Sequence, residues 1–173
     1  MINDYASLIS RAKAVIDNGF SRVGKNLDVA DPVDRALMLL ASRAVAIGNA
    51  LVLLAQHSLA NEALPLLRSL LEIAAAIRWI VQDDSARRAR TFLDESRGAE
   101  WDNLWNTGRL KERMRELGFP RRLEERSAMF CYDHLHGNAQ GLPWGHVFKE
   151  NGEAGITAEE LLKIAAFLSG HVV

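Results

Sequence analysis

One stretch of the chain, residues 61–82, constrains the fold more than any other. At 100° per residue its apolar side chains fill one helical face and much of the opposite one. A helix that is apolar nearly all round has to be buried, so this stretch predicts the central helix of the fold. Its less apolar side carries Arg68 and Glu72, spaced i, i+4, which can pair along the helix. Burial makes that pairing close to obligatory.

The segments before the central helix also have helical signals. Residues 5–16 keep an apolar helical period, and we expect the first helix to end at Asn18 and Gly19, which offer a left-handed stop. Asp31 then caps a second helix that starts at Pro32 and runs to about Gln56. Because a short turn separates the second helix from the central one, the two should form a long antiparallel hairpin.

A thin polar seam runs along the second helix. Ser42, Asn49 and Gln56 are seven residues apart and lie on the side away from the main apolar stripe. If the hairpin packs on the seam side, the seam meets Arg68 and Glu72. If it packs on the other side, the seam faces water, and periodicity leaves both arrangements open.

Further helices are expected downstream. Asp83 to Ser85 should stop the central helix and cap one that reaches Trp105, followed by helices over 107–117 and 121–136. Residues 137–155 contain five glycines without a period and predict a loop. Thr157 and Glu160 form a capping box for the last helix. With no alternating strand pattern, the fold class is all-α: a single helical bundle of six or seven helices over residues 1–173.

Composition argues against several classes of function. The formal net charge of -1 gives no global reason to expect nucleic acid or an anionic membrane. The single cysteine, Cys131, cannot form an internal disulfide, and the N-terminus lacks the features of a secretory signal, so we expect a cytoplasmic protein. Residues 44–61 are uncharged but contain several polar side chains, which favours a buried helix over a membrane span. No membrane partner is expected.

A second polar cluster lies at the end of the 121–136 helix. Tyr132 and His136 share a helical face there, and Asn138 follows in the loop. Because whatever covers Arg68 and Glu72 must supply hydrogen-bond partners, we interpret His136 as the residue that does so. The candidate ligand-binding residues are therefore Arg68, Glu72, Tyr132, His136 and Asn138, with a small polar ligand as the expected class.

Simpler interpretations stand beside this one. Arg68 and Glu72 can serve as an ion pair that locks the hairpin, and a histidine near a helix C-terminus is stabilised by the helix dipole. Asp133 and His136 are the one carboxylate-histidine pair with ligand spacing, and the chain has no Glu-x-x-His. We therefore expect no metal and no cofactor. No catalytic residue is assigned.

Self-association is expected from the amount of apolar surface. The nearly all-round apolar helices and the four tryptophans provide more apolar surface than the core of a domain of this size needs. The sequence therefore predicts a homo-oligomer, most simply a dimer, and the interpretation is a helical binding or interaction module.

Two family resemblances add to this interpretation. The segment Leu66 to Glu72, with a later Leu135-His136-Gly137, resembles a bacterial family of helical proteins of unknown function, over about residues 35–140. That family has a Leu-Arg-Ser-Leu-x-Glu helix and a hydrophobic-His-Gly motif.

More loosely, the chain resembles the HEPN superfamily of helical, dimeric ribonucleases, whose motif is an arginine followed by a histidine. Here seven residues separate Arg126 from His134, which departs from the usual four to six. The resemblance implies the alternative function, a metal-independent ribonuclease that acts in a toxin or defence system. RNA is an expected partner under that alternative alone.

Overall fold

The computed structural model of the protein describes residues 2–94, 107–121, 123 and 156–173. Six helices and no strand are present in these ranges, so the all-α prediction is confirmed. The helices pack together as a bundle. They are α1 (Ile2–Val23), α2 (Pro32–Gln56), α3 (Leu64–Gln82), α4 (Ser85–Leu93), α5 (Thr107–Glu116) and α6 (Ala158–Gly170).

The α2–α3 hairpin forms the centre of the fold. Asp31 caps α2 as predicted, since its Oδ1 accepts hydrogen bonds from the backbone N–H groups of Val33 (2.7 Å) and Asp34 (3.4 Å). The predicted bounds of α2 are confirmed. α3 begins at Leu64, three residues later than predicted, because residues 61–63 form the turn. Pro65 consequently lies in the first turn of α3, where its missing N–H costs no hydrogen bond.

The other helices cover α3 on several sides. α3 contacts α2, α4 and α6, while α1 packs on α2 and α6. Most of α3 is buried, as its all-round apolar composition predicts. α6 begins with the predicted capping box: the Thr157 Oγ1 accepts from the Glu160 N–H (3.2 Å), and the Thr157 N–H donates to Glu160 Oε2 (3.5 Å).

The predicted end of α1 at Gly19 is wrong. Gly19 keeps a negative φ and stays helical, and the helix runs on to Val23. A glycine stops a helix when it adopts the left-handed conformation, and here the chain turns at Gly24 instead. A Cβ at Gly24 would lie 2.3 Å from the carbonyl oxygen of Phe20, so this position requires glycine.

The predicted extent of α4 is also wrong, whereas the stop after α5 is confirmed. α4 ends at Leu93 because Asp94 adopts an extended backbone. The sequence directly after Leu93 has no apolar residue until Ala99, so it offers no apolar face that would favour a longer helix. Gly118 has the expected left-handed φ of 72°. Trp101 and Trp105 lie outside the described residues.

We expect the core around α3 to dominate stability. Leu71 is 0% exposed and Leu8 on α1 is 46% exposed. Leu71→Ala should lower the free energy of unfolding by about 2–5 kcal/mol, because it leaves a cavity in a packed core. Leu8→Ala, the matched control, should change it by less than about 0.5 kcal/mol. Urea melts of both variants check the difference, and equal losses would contradict the assignment of the core.

Candidate functional site

The predicted ion pair on α3 forms. Arg68 Nε lies 2.7 Å from Glu72 Oε1, one helical turn away. The two side chains differ in environment: the Arg68 side chain is 10% exposed, whereas the Glu72 side chain is 39% exposed. The pair therefore spans from the interior to the surface, with the guanidinium at its buried end.

The buried guanidinium of Arg68 has an unused donor. Its Nη1 atom is buried and has no hydrogen-bond partner among the described residues. A guanidinium carries five N–H donors, and leaving one unpaired in the interior costs free energy. A hydrogen-bond acceptor at this atom, from a ligand or from another part of the chain, would remove that free-energy cost.

Three of the five predicted ligand-binding residues, Tyr132, His136 and Asn138, lie outside the described residues. The proposed contact of His136 with Arg68 and Glu72 therefore stays a prediction. The same holds for Arg126 and His134, the pair on which the resemblance to ribonucleases depends.

The polar seam of α2 does not reach the ion pair. Ser42, Asn49 and Gln56 are all exposed, so the hairpin packs on the other side of α2. Of the two arrangements that periodicity left open, the seam facing water is the one observed.

A second cluster, which the sequence analysis missed, joins α3 to the end of the chain. Arg78 Nη1 lies 3.4 Å from His171 Nδ1, and the Arg78 guanidinium lies 5.2 Å from the ring centroid of Phe119. The His171 ring also makes edge contacts with Phe119, at 5.2 Å between centroids, and with Phe167, at 4.5 Å. The cluster fixes a cation between aromatic rings at the C-terminal half of α3.

The protonation state of His171 follows from this geometry. Burial lowers the pKa of His171 below its ordinary value, and the nearby charge of Arg78 lowers it further. An arginine can only donate, so the Nδ1 of His171 accepts in this contact and the ring proton lies on Nε2. At neutral pH the Arg78–His171 pair therefore carries a single positive charge.

This pair lies in the wall of a groove between α1, α2, α3 and the chain end, which we name the α1–α2 groove. Its volume is about 460 Å³. Arg68 and Glu72 do not line it. Its lining residues are Val15, Ile16, Gly19, Phe20, Val23, Leu27, Asp34, Leu37, Met38, Ala41, Ile77, Arg78, Val81 and His171–Val173.

A third polar group surrounds Trp79 on the other side of α3. Arg88 and Arg113 place their guanidinium groups 5.2 Å and 5.5 Å from the Trp79 ring. Arg88 Nη1 also donates to the Trp79 carbonyl oxygen at 2.5 Å. Because these contacts link α3 with α4 and α5, we interpret this cluster as structural.

The described part of the chain has no metal-binding cluster and one long apolar helix. In the described ranges no group of three or more His, Cys, Asp or Glu side chains could hold a metal ion. One described helix, α2, has the length and composition to cross a membrane, and 28% of its apolar window is buried. A core helix of a soluble protein can meet the same criteria, so this finding is weak evidence for a membrane span.

The fold and these clusters define the class of protein, an all-α bundle built on a central antiparallel hairpin. Residues 34–128, more than half of the chain, match the model of a family of unknown function, DUF5677, and the chain belongs to that family. No curated protein and no solved structure matches the chain. The prediction of an uncharacterised helical family is confirmed to this extent, and the relationship to HEPN proteins stays a prediction.

We expect the Arg68–Glu72 pair to be strongly coupled in stability. Glu72→Gln should lower the free energy of unfolding by about 1–2 kcal/mol, because it removes the charge that compensates a buried guanidinium. The double variant Arg68→Met with Glu72→Gln should cost less than the sum of the single variants by about 1 kcal/mol. Denaturant melts of all three variants give this coupling energy.

The exposed pair of Lys13 and Asp17 provides the control. It has the same i, i+4 spacing, but its side chains are 41% and 51% exposed. Its coupling in the variants Lys13→Met and Asp17→Asn should stay below about 0.5 kcal/mol. Equal coupling in both pairs would show that the burial of Arg68 has no energetic consequence.

His171 should make stability depend on pH. Because its pKa is lowered on folding, its contribution to stability is fully present above pH 6.5, its ordinary pKa, and declines as pH falls below that value. Relative to His171→Gln, the wild-type protein should therefore lose stability between about pH 7 and pH 5. Thermal melts of both proteins across this range check the sign. Parallel pH profiles would show that His171 titrates normally in the folded state.

Proposed function

We propose that the protein is a helical interaction module and that one face of α2 binds a second copy of the chain. The α2 outer face, as we name it, has Leu39, Ala46 and Leu53 along its centre, with the polar seam residues beside them. Leu39 and Leu53 are each 57% exposed, and Ala46 is also exposed. Two large apolar side chains on one exposed line are the observation that carries the proposal.

The spacing of the α2 outer face makes it self-complementary. Leu39, Ala46 and Leu53 follow one another at a spacing of seven positions, which is about 10.5 Å along the axis and only about 20° around it. In an antiparallel pair, a twofold axis beside Ala46 brings Leu39 of each copy against Leu53 of the other. In a parallel pair, a twofold axis along the helices brings each leucine against its own counterpart. The small side chain of Ala46 lets the two helix axes approach closely at the centre.

The polar residues of the same face favour a protein partner over lipid. Arg35, Arg43 and Asn49 are exposed on this side of α2, and charged groups in a hydrocarbon layer are costly. The opposite side of α2 supplies Leu40, Leu51 and other residues to the core, so insertion into a bilayer would remove α2 from the bundle. A helix–helix interface tolerates polar neighbours at its rim.

Light scattering at micromolar concentration tests the proposal. The wild-type chain should have the mass of a dimer, and Leu53→Glu should shift it to the monomer, because a buried charge at the interface has no partner. Leu8→Glu, an exposed leucine on α1, is the matched control and should keep the dimer. A monomeric wild-type chain, or recovery of the chain with lipid vesicles in a flotation assay, would overturn the proposal.

A disulfide trap tests the position of the twofold axis. In a Cys131→Ser background, Ala46→Cys should form a covalent dimer on mild oxidation, because the axis brings the two copies of this position together. Ala14→Cys on α1 replaces another exposed alanine and should stay monomeric on a non-reducing gel. Dimers that form equally in both variants would reflect random collision instead of this interface.

A further inference from the structure

We infer that the α1–α2 groove binds an amphipathic monoanion, an aliphatic chain that ends in a carboxylate, with the carboxylate at Arg78 and the chain along the apolar walls. This inference rests on the groove alone and is independent of the interface proposed for α2. It assigns a ligand class to a site in which neither Arg68 nor Glu72 takes part.

The walls of the groove fit an aliphatic body. Val15 and Val23 of α1 and Val81 of α3 are 51%, 47% and 54% exposed, although each is large and apolar and points to a shared space. The volume of about 460 Å³ lies within the range of roughly 300–1,000 Å³ typical of small-molecule sites. An aliphatic chain in this space would remove these three valines from water.

The charge in the groove wall selects the head group. Arg78 is half-buried, and in the described part of the chain no ion pair joins it to a carboxylate. Its contacts with Phe119 and the neutral His171 ring hold the guanidinium in place without cancelling its charge. A fixed guanidinium is suited to bind a carboxylate, to which it can donate two parallel hydrogen bonds.

The acidic side chain of the groove does not neutralise Arg78. Asp34 lies at the start of α2, where its Oδ2 accepts the Asp28 N–H at 3.0 Å, and it makes no ion pair with Arg78. The half-buried charge of Arg78 therefore affects a bound head group more strongly than the charge of Asp34 does.

Three probes of equal chain length separate the contribution of charge from that of the apolar walls. Calorimetric titration at about pH 7.5, where carboxylic acids are ionised, compares decanoate, decanol and decylammonium below their micellar concentrations. Decanoate should bind more tightly than decanol by about fivefold, the effect of one partly solvated ion pair. Decylammonium should bind most weakly.

Two pairs of variants locate the binding. Arg78→Met should remove the preference for decanoate over decanol, while Arg11→Met, an exposed arginine on α1, should keep it. Gly19→Leu should weaken decanoate and decanol alike, because a Cβ at Gly19 meets no heavy atom within 4 Å and the side chain would fill the groove. Gly170→Leu adds the same side chain at another open glycine, outside the groove lining, and should bind as wild type.

The inference has clear contrary results. Equal affinity of wild-type protein for decanoate and decanol would show that Arg78 does not select the head group. Tighter binding of decylammonium would show that Asp34 dominates the charge of the groove. Absence of binding by all three probes, or binding unaffected by Gly19→Leu, would show that the groove is not the site. Because a Cβ at Gly19 meets no heavy atom within 4 Å and leucine favours the helix, Gly19→Leu stays informative even where Arg78→Met folds poorly.

Discussion

The burial of α3 is the constraint on which the rest of the structure depends. Leu64, Leu67, Leu70, Leu71 and Ile80 are all completely buried, and they point to different sides of the helix. A helix of this kind needs neighbours on several sides, and α2, α4 and α6 supply them. The buried Arg68 is tolerated because Glu72 is one turn away on the same helix, so its charge is compensated before any tertiary contact forms.

The parts of the fold that the sequence predicts well are those specified by local chemistry. The cap at Asp31, the capping box of Thr157 and the left-handed turn at Gly118 each need only a few neighbouring residues, and all three are present. The errors at Gly19 and after Leu93, like the start of α3 at Leu64, concern helix ends that no local cap specifies. A glycine can continue or stop a helix, so the residue type at position 19 does not decide between the two.

The candidate site is harder to predict from the sequence, because it depends on contacts between distant residues. Arg78 and His171 are 93 positions apart, so no periodic pattern relates them. One signal was available: Arg78 is a third charged residue on the apolar α3, and none of the residues three or four positions away is acidic. An arginine on a buried helix without a local acid must find its contacts on another element, here the rings of Phe119 and His171.

The family match covers the two proposed surfaces to different extents. Residues 34–128 contain the α2 outer face and the Arg68–Glu72 pair, whereas the groove also needs α1 and the chain end, which lie outside that range. Any property that all members of the family share through this range must therefore reside in the hairpin or in the helices that follow it. Val15, Val23 and Val81 are themselves about half exposed, so they contribute less to the core than the fully buried leucines of α3. Substitutions at the valines of α1 can therefore change the shape of the groove with little effect on the core, whereas Arg78, to which we assign the head group, lies on α3 within the hairpin itself.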